Sequence, residues 1–261
     1  MICPFLFGKE LTMGNICVII LAAGKGTRMK SDKAKVLHEV AGAPMIQYVV
    51  ETALAVADEV VVVIGHQAQS VRKALSAYPS VRFALQKDQL GTGHAVMTAI
   101  PLVSEGIPDA IILCGDTPLI RAETIRALIR QHRAQKADLT LATTRLEQPF
   151  GYGRIISDDQ GRVMRIVEES DAKGSEKEIT TVNTGTYCVK IDFLKKSLPD
   201  LGNDNAQGEF YLTDVVQRAY RDGVPAAVLE VRDSLEVLGI NTTDELAQAE
   251  KLLRQISGQG D

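Results

Sequence analysis

Apolar residues along this chain fall into short unbroken runs separated by amphipathic stretches, and that alternation predicts the elements. Residues 16–21 are continuously apolar and end in a glycine-rich turn, as expected of a strand buried on both faces. Residues 44–57 read as a helix, with Pro44 suited to its first position. Strands are predicted at 60–64, 81–85, 110–114 and 139–144, and helices between them at 67–78, 93–103 and 122–136. Four successive strand–helix units predict an α/β fold, a mixed, mostly parallel sheet with helices on both faces.

After Gln148 the texture changes. Residues 154–157 and 162–168 flank Asp158-Asp159-Gln160-Gly161, a hairpin signal. A strand at 184–190, a helix at 212–221, a strand at 226–231 and a closing helix at 242–256 follow; Thr242 or Thr243 would cap that helix and Gly258 would stop it. No linker rich in Pro, Gly or Ser interrupts the pattern, so residues 15–261 are expected to form one domain whose parallel and more antiparallel halves share a sheet. Residues 1–14 are expected to be an extension outside the core, with Met13 as an alternative start.

Composition narrows the class. The 261 residues are 45% hydrophobic and 24% charged, with a net charge of −4. That is an ordinary globular balance without the basic excess of a general nucleic-acid or membrane-surface binder, although a local anion site stays open. No apolar run reaches the roughly 18 residues of a membrane span, and the N-terminus lacks the basic start of a secretory signal, so a cytoplasmic protein is expected. The four cysteines, Cys3, Cys17, Cys114 and Cys188, form no CxxC pair and are expected to be reduced thiols, with Cys17 and Cys114 in the core.

In open α/β sheets ligands bind outside the carboxyl ends of the strands, so the loops there are the places to search. The first strand runs into Leu21-Ala22-Ala23-Gly24-Lys25-Gly26-Thr27-Arg28. Gly24 and Gly26 permit close approach of phosphate to backbone N–H groups, and Lys25, Arg28 and Lys35 add positive charge. No GxxxxGK[ST] string occurs, and a dinucleotide fingerprint fails at Met29 and again at Gly65-His66, where an acidic residue belongs. After the third strand, Gln86 and Gly91-Thr92-Gly93 offer donors and acceptors to a base edge, or Thr92 simply caps a helix. After the fourth, Asp116 between Gly115 and Pro118 offers oxygen to a hard cation such as Mg²⁺, or simply makes a turn. His38, His66, His94 and His132 lack metal-ligand spacing; His94 would open a helix and His132 would sit on a solvated helix face. Asp158-Asp159 is expected to be a solvated turn, and residues 173–178 an exposed flexible loop.

Taken together, LAAGKGTRM at 21–29, QLGTGHA at 89–95, GD at 115–116, GYGRI at 151–155, VEE at 167–169, NTG at 183–185, NAQGEFYLTD at 205–214 and GIN at 239–241 resemble the sugar-phosphate nucleotidyltransferases. In order and spacing they are most similar to the uridylyltransferase half of the bacterial bifunctional N-acetylglucosamine-1-phosphate uridyltransferase / glucosamine-1-phosphate acetyltransferase family. The resemblance implies a Rossmann-like three-layer nucleotide-diphospho-sugar transferase fold. It also implies Mg²⁺-dependent conversion of UTP and N-acetylglucosamine 1-phosphate into UDP-N-acetylglucosamine and pyrophosphate. By matching position, Leu21, Ala22, Ala23 and Gly24 would contact the nucleotide, and Gln86, Gly91 and Thr92 would read uracil. Arg28 and Lys35 would contact phosphates, Asp116 and Asn241 would hold the metal, and Gly153, Glu168 and Asn183 would bind the amino sugar.

Two positions depart from the family pattern. Ala34 stands where a proline usually precedes the lysine, which would loosen that loop, and Cys114 stands where a tyrosine is common. The family's left-handed β-helix acetyltransferase domain has no counterpart in these 261 residues; if the chain is complete, acetyl transfer is not expected of it, and the trimer built on that domain is not carried over, so the oligomeric state stays open. Two alternatives remain at this stage: transfer to another sugar phosphate, such as glucose 1-phosphate with UTP or dTTP, and a non-catalytic nucleotide-sugar binding protein.

Overall fold

The computed structural model describes residues 15–29 and 31–256, and the first apolar run lies at its centre. That run is β1 (Ile16–Ala22), every residue of which except Leu21 is buried. Ile16, Val18 and Ile20 face one side of the sheet, Cys17 and Ile19 the other. A two-residue pairing of β2 (Glu39–Val40) with β3 (Ala43–Pro44) leads into α1 (Met45–Leu54). The first half continues with β4 (Glu59–Ile64), α2 (Ala68–Ala74), β5 (Arg82–Leu85), α3 (Thr92–Ala99), β6 (Asp109–Cys114), α4 (Ala122–Ala134) and β7 (Leu139–Arg145). The second half contains β8 (Arg154–Ser157), β9 (Val163–Val167), β10 (Thr181–Lys190), α5 (Ile191–Ser197), α6 (Asp214–Arg221), β11 (Ala227–Glu230), α7 (Ser234–Val237) and α8 (Thr243–Ile256).

The main sheet runs β11-β7-β10-β6-β1-β4-β5, and the β8–β9 hairpin attaches to β10. β1 is parallel to both β4 and β6, β4 to β5, and β11 to β7; β10 is antiparallel to both its neighbours. One face is covered by α1, α2 and α4, through Ile46, Val50, Val71, Ile125 and Leu128. The other is covered by α3, α5 and α6, through Val96, Leu194, Val215 and Val216. This is the three-layer α/β arrangement that the apolar runs predict. Among the described residues no helix is long and apolar enough to cross a membrane.

Several local expectations are corrected. Pro44 is not the first helical residue: at φ −55°, ψ 137° it is extended, pairs with Glu39, and the helix starts one residue later. The helix expected over 93–103 begins at Thr92 and ends at Ala99, because Pro101 lacks the N–H an α-helix needs and a 3-10 turn (Ile100–Leu102) takes over. His132 is not on a solvated face. It is 2% exposed, with Nδ1 2.9 Å from Thr140 Oγ1 and Nε2 3.6 Å from an Asp109 oxygen. Residues 173–178 are not a loose loop but a 3-10 turn (Gly174–Glu178), where Glu176 accepts from the Lys173 N–H at 2.9 Å and pairs with Arg165 at 2.6 Å. Asp158 does sit in a turn, accepting from the Gln160 and Arg162 N–H groups at 3.0 and 2.9 Å. The expected extension at 1–14, Met13, Cys3 and Gly258 lie outside the described residues.

β10 carries an irregularity that matters for the site. Its register against β7 shifts between Asn183 and Tyr187, and Gly185 there adopts φ +76°. A Cβ on Gly185 would lie 2.7 Å from Cys114 Sγ at the end of β6. Only glycine tolerates both the backbone conformation and the contact. We therefore expect Gly185→Ala to destabilise the fold by about 1–3 kcal/mol. Pairing it with Cys114→Ala should recover the steric part and leave the backbone part, a non-additivity that chemical denaturation of the four proteins of the cycle would measure.

Candidate active site

β1 is the switch point of the sheet: the chain proceeds from it to β4 on one side and, later, to β6 on the other, leaving a crevice at the carboxyl ends. A cleft of about 720 Å³ opens there. Leu21, Ala22, Gly24 and Arg28 line it from the first loop. Lys35, Asp116, Glu168 and Asn241 come to the same cleft from positions far apart in sequence.

The first loop does not lead into an α-helix. It passes through Gly26, at φ +67°, into a 3-10 turn (Thr27–Met29) held by Met29 N–H donating to the Gly26 carbonyl at 3.0 Å. A Cβ on Gly26 would stand 2.4 Å from Lys35 Cβ, so this glycine lets the 3-10 turn Lys35–Leu37 lie directly against the loop. The loosening expected from Ala34 is offset by a bond that proline cannot make. The Ala34 N–H donates to Gln67 Oε1 at 3.0 Å while Gln67 Nε2 donates to the Asp32 carbonyl at 2.5 Å. Gln67, itself at φ 51°, thus holds the segment that presents Lys35.

At the end of β6 the Gly115 N–H donates to the Leu21 carbonyl at 2.9 Å, which places Asp116 at the mouth of the switch point. The Asp116 carbonyl accepts from the Ile240 N–H at 2.9 Å, and a Cβ on Gly239 would be 3.1 Å from the Asp116 carboxylate. Asn241 is oriented by its own amide donating to the Gly239 carbonyl at 2.7 Å. The capping box of α8 fixes its backbone: Glu245 accepts from the Asn241 and Thr242 N–H groups at 2.5 and 3.0 Å, and Glu245 N–H donates to Thr242 Oγ1 at 3.2 Å. Thr242 is therefore the cap that the sequence offered. Between these two loops lies the Lys35 ammonium, which donates to Asp116 Oδ2 and, at 2.7 Å, to Asn241 Oδ1. Asp116 Oδ1 is buried and has no hydrogen-bond partner.

The expected base-reading residues are not among those lining this cleft. Gln86 is 3% exposed, and its amide nitrogen donates to the Gly91 carbonyl and to His94 Nδ1, each at 3.0 Å. Thr92 is the first helical residue rather than the cap; its Oγ1 accepts from the Leu212 N–H at 2.9 Å. Gly91, at φ +110°, and Gly93 are pressed against the Phe210 backbone, and the Gly93 N–H donates to the Phe210 carbonyl at 2.7 Å. QLGTGHA and NAQGEFYLTD are thus two sides of one contact. Ala23 contributes its carbonyl, which accepts from the His66 N–H at 3.1 Å.

Glu168 lines the cleft with Gly151 and Glu169, and Gly153 and Asn183 pack next to it. Asn183 N–H donates to the Gly153 carbonyl at 2.8 Å, and a Cβ on Gly153 would lie 3.3 Å from Glu168 Oε2. Thr213 donates to Glu168 Oε1 at 3.0 Å. Burial pushes the Glu168 carboxyl above the usual glutamate range, and Asp214, Asp171 and Glu209 add to the rise against that hydrogen bond. Cys114, between these residues and Asp116, has its thiol pushed up to about 12 by burial and the Asp116 carboxylate. It is a neutral packing group and no nucleophile.

Sequence reasoning missed several groups. Tyr152, with a phenol pushed up to about 12 by burial and by Glu245 and Asp116, was available within GYGRI. Arg154, 2% exposed, donates to the Tyr152 carbonyl and pairs with Glu169 at 2.7 Å, while Glu169 accepts from the Gly151 N–H at 3.0 Å. That network fixes the loop whose neighbour Phe150 stands 82% exposed at the cleft mouth. No local pattern marks Gln67 as a support, because its partners, Ala34 and Asp32, are set by tertiary structure.

Residues 18–179 match the MobA-like NTP transferase domain. The chain is 51% identical to the bifunctional protein GlmU of Geobacter metallireducens over 93% of its own length and 51% of that protein's. It is 47% identical to the GlmU of Desulfotalea psychrophila over 92% of its length and 70% of that protein's. It spans about half the length of most of these relatives. A Bacillus anthracis protein assigned as a glucose-1-phosphate thymidylyltransferase, solved in complex with sucrose, superposes with a TM-score of 0.73 at 21% identity, covering 92% of this chain and 95% of its own, and so shares the fold. The switch-point cleft, the order of its loops and these likenesses together make the chain a member of the MobA-like NTP transferase family, in the branch of the bifunctional GlmU proteins.

Proposed function

We propose that this chain transfers a uridylyl group from UTP to N-acetylglucosamine 1-phosphate, forming UDP-N-acetylglucosamine and pyrophosphate. The observation that carries the reading is the pair of side-chain oxygens, Asp116 and Asn241, at the end of the central strands, with Lys35 and Arg28 on the same cleft. The partnerless, buried Asp116 Oδ1 beside a neutral amide oxygen fits a hard divalent cation, which takes oxygen ligands and commonly keeps only one or two from protein. Asp116 and Asn241 would hold Mg²⁺, which supplies neutralisation of phosphate charge when bound.

The remaining chemistry follows from the chain's own residues. A sugar 1-phosphate is already an anionic nucleophile, so its oxygen can attack the α-phosphorus without a general base. The bond from that phosphorus to the bridging oxygen breaks, and its electron pair leaves with pyrophosphate. What the protein must provide is alignment and positive charge. Gly24 and the open first loop accept the phosphates, and Arg28 and Lys35 bring the charge. The Glu168–Gly153–Asn183 group supports recognition of a polar sugar, where buried donors and acceptors reject a ligand that leaves them unpaired.

Pyrophosphate release should therefore follow mixing of the chain with UTP, N-acetylglucosamine 1-phosphate and Mg²⁺; no release across a panel of nucleoside triphosphates and sugar 1-phosphates would overturn the reading. Asp116→Ala should nearly abolish turnover, and Arg28→Ala should lower it by about 10²–10³-fold, as loss of one charge-stabilising donor does elsewhere. Both are read in the same assay.

Glu168 yields a second expectation, on stability. Its folded pKa is raised, so the native state binds its proton more tightly than the unfolded chain does. Its contribution is then fully favourable below the ordinary glutamate value of about 4.3 and is lost as pH rises through the folded value. Glu168→Gln keeps an oxygen for Thr213 and removes the buried charge. Its Tm should equal wild type near pH 4 and exceed it by about 2–4 °C near pH 8, with sugar-phosphate turnover reduced. Thermal unfolding across that range checks the sign.

A further inference from the structure

The Lys35 ammonium sits against both side chains, Asp116 and Asn241, that the proposed cation would use. It donates to Asp116 Oδ2 and to Asn241 Oδ1, the latter at 2.7 Å. A divalent ion placed on the same pair would meet a full positive charge at contact distance, so one of the two must go elsewhere. The backbone of Lys35 is not free to move away. Gly26 abuts its Cβ, Val36 and Leu37 after it are buried, and the preceding Ala34 N–H is held by Gln67. The side chain, by contrast, is a flexible four-carbon stem whose head lines the cleft beside Gly24, Gly26 and Arg28, where phosphates would lie.

We propose that Lys35 is an exchangeable counter-ion: its ammonium neutralises Asp116 and holds Asn241 until it passes to the nucleotide's phosphates, and only then do both oxygens accept a divalent cation. Lys35 thereby couples the two ligands. Without a nucleotide the ammonium competes with the cation for Asp116; with one, it has a new anionic partner and the competition ends. Linkage makes the coupling reciprocal, so nucleotide and cation each tighten the other. Such a lysine keeps a partly buried carboxylate paired at every stage, and it delays metal loading until the triphosphate is present. The inference deepens the nucleotidyltransferase reading and rests on it for the identity of the ligands.

The test is Mn²⁺ binding by calorimetry in the absence of nucleotide, on the whole chain. Lys35→Met, which keeps the stem and removes the charge, should bind Mn²⁺ about tenfold more tightly than wild type. Lys35→Gln should shift the same way, which guards against a packing defect of one variant. The factor by which UTP tightens Mn²⁺ should shrink in both. Adding Asp116→Asn to Lys35→Met should erase the gain, assigning it to that carboxylate. Equal or weaker Mn²⁺ binding in both lysine variants, or a gain that survives Asp116→Asn, would overturn the exchange. Failure of the nucleotidyltransferase reading shows separately, as wild type that neither binds UTP nor releases pyrophosphate while the Mn²⁺ ratio between variants persists.

Discussion

A carboxylate brought out of water is costly unless its lone pairs are answered, and the architecture around Asp116 is organised by that requirement. The carboxylate lies where β6 ends against β1, at the only kind of position an α/β sheet offers for a ligand to reach the ends of several strands at once. Three separate stretches of chain converge to hold it. Gly115 closes onto Leu21, Gly239 and Ile240 pack on its far side, and Lys35 reaches across from the loop that follows the first glycine turn. One oxygen is answered by the ammonium, and the other is buried without a hydrogen-bond partner. Each supporting device, from Gln67 holding Ala34 to Glu245 capping α8, acts by fixing one of these three stretches.

The division of labour between the halves follows from the sheet. Parallel strands deliver β1 and β6 loops to one edge, and these carry charge and backbone donors suited to phosphate. The reversed β10 then brings Asn183 and the β8–β9 hairpin to the same edge from the opposite direction, so the cleft gains a second wall with a different chemistry. Gly185 is the point where the walls meet, since it lets β10 bulge around Cys114. Burial raises the Glu168 carboxyl in that wall above the usual glutamate range, a stability cost of the kind that functional sites retain.

What could be read from sequence follows the range of the forces involved. β1, β4 and β6 announce themselves because burial on both faces demands unbroken apolar runs, and the Thr242–Glu245 box is visible because capping is local. The insertion of antiparallel β10 between β6 and β7 is not local, and nothing in residues 181–190 states which strands they will pair with. His132 misled for the same reason. Its spacing on α4 resembles a polar face, and only Thr140 and Asp109, from two other strands, make its burial tolerable. At the site, residues of distinctive chemistry such as Arg28, Lys35 and Asp116 were recognisable from their loops. That Thr92 serves Leu212 depends on the docking of segments more than a hundred residues apart.

Asp116 and Asn241 are proposed as the cation seat of a nucleotidyl-transfer centre. A crystal structure of the chain grown with UTP and Mn²⁺, with anomalous data collected near the manganese edge, addresses it most directly. An anomalous peak is expected in direct coordination range of the Asp116 carboxylate and Asn241 Oδ1, touching the nucleotide's phosphates. A peak at other residues, or nucleotide density away from the β1 and β6 strand ends, would contradict this assignment.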